Sequence, residues 1–128
     1  MYIVSKTTEI HAAHKLSLPY ESKCVCLHGH SYKITVWCAS SALNSENMVL
    51  DYNVIKGAVN RFDHTYLNDE IPSDWGNTTT EMLCHYLAKS IPFTIKVEAW
   101  ESSNNRCIYI NEMHPEFDTL KYMLGGLN

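Results

Sequence analysis

The chain has 128 residues, of which 45% are hydrophobic and 19% are charged, and its formal net charge is −4 at pH 7. These values predict a single globular domain over residues 1–128. The charge and the lack of a basic run argue against a nucleic-acid partner, and no apolar run approaches the roughly 20 residues of a membrane helix. Five cysteines without a framework spacing indicate a reducing compartment. We therefore expect a cytoplasmic protein with neither a membrane nor a nucleic acid as its partner.

The first half of the chain predicts two strands. Apolar and polar residues alternate over residues 2–13 and again over residues 28–39, where Tyr32, Ile34 and Val36 share one face. A loop over residues 15–27 joins the strands, and a loop of this length is often functional. We expect Cys38, Cys84 and Cys107, which lie in apolar patterns, to be small core residues.

Two helices and a second hairpin are predicted in the rest of the chain. Asp51 or Asn53 caps a first helix, and its apolar positions are spaced like one face of a helix: Ile55, Ala58, Val59 and Phe62. Thr78 and Glu81 have the capping-box spacing of a second helix. Strands are predicted over residues 94–100 and 107–110, followed by a short helix over residues 115–124. This order is typical of an α+β fold with an antiparallel sheet and both helices on one face.

A pair of histidines at the start of the second strand suggests a metal site. Residues i and i+2 of a strand share a face, so His28 and His30 point the same way about 6.6 Å apart. Both imidazoles can reach one zinc ion, whose Zn–N bonds are about 2.0–2.1 Å long. His14, at the end of the first strand, is the best third ligand, whereas His11 points to the opposite face. A purely structural role for these histidines is the alternative.

Three further groups could carry chemistry near such a site. Asp63 beside His64 can orient or charge the imidazole, with Cys24 as the partner thiol in a Cys–His pair, directly or through another subunit. The alternative is that Asp63 and His64 cap the end of a helix. Glu101 closes a strand and can accept two hydrogen bonds from a guanidine-like ring edge; simple solvent exposure is the alternative, and the sequence alone favours it.

A run of threonines offers a second possible ring contact. Thr79 and Thr80 precede Glu81 at the start of the predicted second helix. Their hydroxyl or backbone groups could bind a ring, whereas helix capping explains them without any ligand.

Several short motifs recur together in one known family. They stand in this order: Ala12-Ala13-His14, Cys24-Val25-Cys26-Leu27-His28-Gly29-His30, Leu50-Asp51-Tyr52, Asp63-His64, Leu67-Asn68, Thr79-Thr80-Glu81, Glu101 and Cys107-Ile108-Tyr109. Over about residues 3–110 the chain resembles the 6-pyruvoyltetrahydropterin synthase family. Residues 111–128 extend beyond the resemblance as a C-terminal extension.

The resemblance implies a role for each candidate residue. The zinc ligands would be His14, His28 and His30. Cys24 would be the catalytic thiolate, with Asp63 and His64 completing its relay, and Glu101 would anchor the pterin ring. Thr79 and Thr80 would lie in the motif next to the substrate.

The resemblance also implies an assembly and a substrate. Family members have the tunnelling fold (T-fold), in which four-stranded antiparallel sheets of several subunits join into a barrel, and they are typically homohexamers with shared active sites. The implied substrate is 7,8-dihydroneopterin triphosphate. Three residues between Cys24 and His28 resemble the branch that makes 6-carboxytetrahydropterin for 7-deazaguanine biosynthesis. Formation of the 6-pyruvoyl product is the alternative, and a zinc-containing oligomer that binds a pterin without turnover is the third possibility.

Overall fold

A computed structural model describes residues 1–127 of the chain, so the last residue of the predicted C-terminal extension lies outside the described residues. The strands are β1 (Tyr2–His14), β2 (His28–Ser40), β3 (Thr65–Tyr66), β4 (Thr94–Trp100) and β5 (Arg106–Ile110). The α-helices are α1 (Tyr52–Asn60), α2 (Leu67–Glu70), α3 (Thr80–Ser90) and α4 (Phe117–Leu120). Short 3-10 turns lie at Lys23–Val25, Ser73–Trp75 and Leu124–Gly126.

One sheet with the order β3-β1-β2-β4-β5 organises the molecule. β1 and β2 form a long antiparallel hairpin in which Tyr2 pairs with Ser40 and His14 pairs with His28. β4 and β5 continue the antiparallel order, which confirms the predicted four strands. The additional strand, β3, pairs in parallel with β1 over two residues. It was not predicted because two residues are too few to show an alternating pattern. The sheet of the single chain is open rather than closed into a barrel.

The main core lies between the sheet and the two longer helices, as predicted. Every second residue of β1 and β2 points to this side, because side chains alternate along a strand. Fully buried members from the sheet are Ile10, Tyr32, Ile34, Val36 and Val97. Fully or almost fully buried members from the helical layer are Ile55, Val59, Phe62, Leu83 and Leu87. This packing supports the β1–β2 hairpin, and the candidate site lies at the end of that hairpin where the loop over residues 15–27 joins the strands.

The C-terminal segment covers part of the opposite face of the sheet. Leu120 is fully buried in a second cluster with Trp37, Ala39 and Ile95. The predicted helix over residues 115–124 is wrong in length, since the α-helix covers only Phe117–Leu120. From there the N–H of Met123 donates to the Leu120 carbonyl, three residues back, so the chain leaves the α-helical pattern. None of the helices in residues 1–127 combines the length and apolar character of a membrane span.

The structure shows which residue is the N-cap of each of the two longer helices. Asp51 is the N-cap of α1 and accepts a hydrogen bond from the Asn53 N–H at 2.8 Å. The N-cap of α3 is Thr79, which accepts from the Met82 N–H at 3.3 Å, so the predicted cap at Thr78 is wrong. The Thr78 hydroxyl instead donates to the Asn68 side-chain oxygen at 3.0 Å. Tertiary contacts therefore select the cap from three consecutive threonines.

Thr79→Ala is expected to lower the free energy of unfolding by about 1 kcal/mol, because an unpaired donor remains at the start of α3. Urea unfolding measures this change. Thr79→Ser is the matched control, since it keeps the capping oxygen and should unfold close to the wild-type midpoint. Equal losses in both variants would contradict the capping role.

Candidate metal centre

Three histidines converge at the end of the β1–β2 hairpin where the connecting loop joins the two strands. His14 and His28 are direct partners in the strand register, and His30 follows two residues later on the same face. Their ring centroids are 4.5 Å (His14–His28), 4.9 Å (His28–His30) and 5.3 Å (His14–His30) apart. One potential ligand atom from each ring lies within 4.8 Å of the other two. The structure thus assembles the predicted triad into a group that can hold a metal ion.

Backbone carbonyls fix the orientation of two of the rings. His14 Nδ1 lies 2.6 Å from the Thr78 carbonyl oxygen, and His28 Nδ1 lies 2.7 Å from the Cys26 carbonyl oxygen. Because a carbonyl oxygen only accepts, the Nδ1 of each ring carries a proton, and in the neutral imidazole the lone pair then lies on Nε2. A second ring nitrogen held in this way is the usual support of a metal-binding histidine. The sequence shows no signal for these two carbonyls, since the contacts depend on the fold.

The state of the buried ring nitrogens fits a bound cation. The Nε2 atoms of His14 and His30 are buried without a hydrogen-bond partner. Such orphaned atoms are rare in folded proteins, and a metal ion would satisfy both. Burial lowers the pKa of His30, with Glu101 opposing this effect and the neighbouring histidines adding to it. Low pKa favours the neutral imidazole, which is the form that binds metal. These three histidines therefore fit a divalent ion such as zinc.

Glu101 lies against the triad. Its Oε1 atom is 3.0 Å from His30 Nε2 and 3.7 Å from His14 Nε2, and its side chain is 25% exposed. The shorter contact lacks hydrogen-bond geometry, which is why His30 Nε2 remains without a partner. The Glu101 N–H donates to the Asn105 carbonyl at 2.9 Å and so holds the residue at the end of β4. Full solvent exposure, the alternative considered for Glu101, is wrong.

An open cleft adjoins Glu101 and the metal centre. Its volume is about 680 Å³, and its walls include His30, Lys33, Trp100 and Glu101. Clefts of roughly 300–1,000 Å³ are typical of small-molecule sites. A smaller cleft of about 320 Å³ joins Glu101 to Thr80, whose side chain is largely buried at the start of α3. Thr80 therefore lies near Glu101, whereas the Thr79 hydroxyl is occupied by the helix cap.

Cys24 lies in the 3-10 turn that precedes β2 and is half-buried. The Cys24 N–H donates to Ser22 Oγ at 3.1 Å, and the Cys24 carbonyl accepts from the Leu16 N–H at 2.8 Å. These hydrogen bonds fix the backbone of Cys24 on the loop between β1 and β2.

Two asparagines brace the same loop against the body of the domain. The Asn77 side chain exchanges two hydrogen bonds with the backbone of Ser17, at 2.8 and 3.0 Å. Asn68 does the same with Lys15, at 3.2 and 2.9 Å. Each side-chain amide accepts a hydrogen bond from the backbone N–H of its partner residue and donates one to the carbonyl of that residue, as a neighbouring strand would. These bonds tie the long loop to the rest of the domain. The sequence marks Asn68 only as part of the Leu67-Asn68 motif, and Asn77 was missed.

Asp63 and His64 lie beside β1. Asp63 Oδ1 accepts from the His11 N–H at 2.8 Å, and Asp63 Oδ2 is 3.6 Å from His64 Nε2. His64 has a left-handed backbone with a φ of 59°, and its N–H donates to the His11 carbonyl at 2.6 Å. Asp63 thus ties the end of the α1 region to β1 rather than capping a helix. Within residues 1–127, no hydrogen bond or ion pair joins either residue to Cys24, and the His64 side chain is 79% exposed.

Three further cysteines lie in or against the core. Cys38 and Cys84 are buried, as predicted, whereas Cys107 is half-buried against the core. Burial raises the pKa of Cys38 to about 11. A hydrogen bond with Cys107, together with burial, holds the pKa of Cys84 far above its ordinary value. Both buried thiols stay protonated at neutral pH and are poor nucleophiles.

The fold and the site together define a class of protein: an α+β T-fold chain with a three-histidine centre at the end of its central hairpin. A sequence model of the family described as 6-pyruvoyl tetrahydropterin synthase matches residues 3–112. The chain belongs to this family.

Relatives of this chain share most of its length. A Synechocystis protein named 6-carboxy-5,6,7,8-tetrahydropterin synthase is 32% identical over 125 residues, which cover 87% of this chain and 95% of that protein. A Bacillus subtilis protein of the same name is 25% identical over 121 residues and 83% of each chain. The solved 6-pyruvoyl tetrahydropterin synthase of Caenorhabditis elegans matches with a TM-score of 0.67 at 22% identity, over 86% of this chain and 95% of that one. The structural likeness supports the fold.

Proposed function

We propose that the protein is a zinc-dependent 6-carboxy-5,6,7,8-tetrahydropterin synthase. With one molecule of water, it would convert 7,8-dihydroneopterin triphosphate into 6-carboxytetrahydropterin, acetaldehyde and triphosphate, as a step of 7-deazaguanine biosynthesis. The observation that carries this proposal is the convergence of His14, His28 and His30 beside an open cleft that also holds Glu101. The name and near full-length match of the Synechocystis relative support it.

Each candidate residue then has a chemical task. The three histidines hold the metal, and a divalent ion supplies Lewis-acid polarisation of the oxygens on the substrate side chain. The Glu101 carboxylate accepts hydrogen bonds from the guanidine-like edge of the pterin, and Thr80 lines the adjoining cleft. Thr79 contributes through the backbone at the start of α3, because its hydroxyl caps the helix.

Proton transfer is assigned to the thiol on the braced loop. As a thiolate, Cys24 acts as the general base. Asp63 orients His64, and the two residues form the relay that takes a proton from the Cys24 thiol or returns one to it. The free cysteines and the proposed role agree with a reducing cytoplasm, where thiols persist.

The proposed relay requires a second copy of the chain. Cys24 and the Asp63–His64 pair make no bond to each other within residues 1–127, and His64 is exposed there. β5 ends the sheet order and so offers an edge to another strand. We propose a homohexamer in which sheets join edge to edge and neighbouring chains complete each site. Light scattering should give six times the 14.7-kDa chain mass, and a stable monomer with full activity would contradict it.

The reaction is tested by anaerobic incubation of zinc-loaded protein with 7,8-dihydroneopterin triphosphate, with products read by mass spectrometry. The proposal expects 6-carboxytetrahydropterin and acetaldehyde. A pyruvoyl product with triphosphate but no acetaldehyde would establish the 6-pyruvoyl reaction instead. Unchanged substrate in the presence of bound zinc would contradict both reactions and would favour an oligomer that binds a pterin without turnover.

A further inference from the structure

We infer that the buried hydroxyl of Tyr32 is a positioning group for Glu101. It donates a hydrogen bond to the Glu101 carboxylate when that carboxylate holds the ring edge of a pterin. This role rests on the proposed function, in which Glu101 anchors the ring, and it adds a residue that acts on the ring from inside the core.

The Tyr32 hydroxyl is a buried donor that lacks an acceptor. The residue is fully buried, and its Oη atom has no hydrogen-bond partner within residues 1–127. A buried tyrosine hydroxyl usually finds a partner, because an unpaired polar group in the core lowers the stability of the fold. A cation cannot accept the hydroxyl proton, so a metal ion on the neighbouring histidines would leave this donor unpaired. The hydroxyl therefore needs an acceptor close by.

The strand register places Glu101 opposite Tyr32. Lys33 of β2 pairs with Trp100 of β4, and continuing this register by one residue sets Tyr32 against Glu101. Residues that lie directly opposite each other on antiparallel strands share a face, and their Cβ atoms are about 4.5–5.5 Å apart. The chain thus brings an acceptor to the side of the sheet on which the Tyr32 ring lies.

Tyr32 and Glu101 also border the same two side chains. The centroid of the Tyr32 ring lies 5.6 Å from that of His30 and 6.4 Å from that of His14. Glu101 Oε1 lies 3.0 Å and 3.7 Å from the Nε2 atoms of these same rings. Burial raises the pKa of the Tyr32 hydroxyl and the Glu101 carboxylate raises it further, which agrees with an acceptor near the hydroxyl.

The Glu101 carboxylate has acceptor capacity to spare. Its Oε1 atom accepts no hydrogen bond from His14 or His30, whose Nε2 atoms are both without a partner. An ionised carboxylate offers about four lone-pair positions, and a guanidine-like ring edge occupies two of them. A donor on the protein side would fix the plane of the carboxylate, and hydrogen bonds to a charged acceptor are the stronger ones. Because Tyr32 is fully buried whereas Glu101 lines the open cleft, the hydroxyl would act on a bound ring through Glu101.

Tyr32→Phe tests this role, because phenylalanine keeps the buried ring and removes only the hydroxyl. Titration calorimetry of the zinc-loaded protein with 7,8-dihydroneopterin, which lacks the triphosphate, should show about 10-fold weaker binding by the variant. In urea, the ligand-free variant should be at least as stable as the wild type, since an unpaired buried group has been removed. Wild-type affinity in the variant, or a clear loss of stability without ligand, would overturn the inference.

Tyr86→Phe is the matched control. The Tyr86 hydroxyl has a partner of its own, since it accepts a hydrogen bond from Arg61 at 2.9 Å on the helical layer. This variant should bind 7,8-dihydroneopterin as the wild type does. An equal loss of affinity in both variants would mean that any tyrosine hydroxyl has the effect, and the assignment to Tyr32 would fail.

A double-mutant cycle shows whether Tyr32 acts through Glu101. Glu101→Gln is expected to weaken binding of 7,8-dihydroneopterin, and adding Tyr32→Phe to it should cost little more, because effects of residues that act as a unit are not additive. A further loss of about 10-fold in the Glu101→Gln background would mean that the hydroxyl reaches the ring directly, and this would overturn the positioning role.

Conversion of the triphosphate substrate by the wild type separates this role from the proposed reaction. A wild-type protein that shows the expected Tyr32 effect on binding but converts no substrate would overturn the proposed reaction alone. Normal conversion together with unchanged affinity in Tyr32→Phe would overturn the positioning role alone. A zinc-loaded wild type that does not bind 7,8-dihydroneopterin would contradict both.

Discussion

Cys24→Ala is expected to lower turnover of 7,8-dihydroneopterin triphosphate by about 10²–10⁴-fold while one zinc ion per chain remains bound. The loss corresponds to removal of a positioned general base. Zinc should remain because Cys24 does not belong to the histidine group, and its fixed position depends on backbone bonds that alanine keeps. Triphosphate release measures turnover, and elemental analysis by mass spectrometry measures zinc.

Cys26→Ser is the matched control for this prediction. Cys26 lies two residues away and has an exposed side chain, and its contribution to the site is the carbonyl that orients His28. Serine keeps that carbonyl, so turnover should stay near the wild-type value. Normal turnover by Cys24→Ala would refute the thiol as the base, and zinc loss in that variant would point to a metal-binding thiol instead.

His28→Ala is expected to remove both zinc and turnover. The substitution leaves two histidine ligands. It also removes the hydrogen bond that the Cys26 carbonyl accepts from His28 Nδ1. Zinc sites depend on ligand number, so we expect the zinc affinity to fall by more than the roughly 10–100-fold that loss of a supporting contact costs. Zinc content after dialysis and competition with a chelator measure this loss.

His11→Ala provides the histidine control. His11 lies on β1 close to His14 but points to the opposite face, where its ring contacts Ser31 at 2.8 Å. The backbone bonds that join His11 to Asp63 and His64 do not depend on its side chain. This variant should keep its zinc. A His28→Ala protein that retained zinc and turned over substrate would refute the metal centre.

The strands and the histidine triad could be predicted because they depend on local periodicity. The predicted boundaries of β1, β2 and β4 lie within one residue of those observed. Two residues at i and i+2 of a strand share a face in any sheet, and the hairpin needs only to bring His14 beside them. The pattern in the sequence was therefore enough to place the three rings together.

Features that depend on contacts between distant segments could not be predicted. The N-cap of α3 is Thr79 rather than the predicted Thr78, because the Thr78 hydroxyl bonds to Asn68 and the Thr78 carbonyl bonds to His14. The approach of Glu101 to His30 depends on the alignment of β4 with β2, which leaves no local pattern in the sequence. The C-terminal helix stopped early because the chain turned to cover Trp37. In each case tertiary packing overrode a reasonable local preference.

The left-handed backbone at His64 limits how the role of this residue can be probed. Most L-amino acids lose roughly 1–2 kcal/mol in this conformation, and asparagine tolerates it better than others. Alanine at position 64 would therefore combine loss of the imidazole with strain at the turn between α1 and β3, which is hydrogen-bonded to β1. Asparagine removes the titrating ring and suits the turn, so His64→Asn isolates the acid–base chemistry from the stability of the fold.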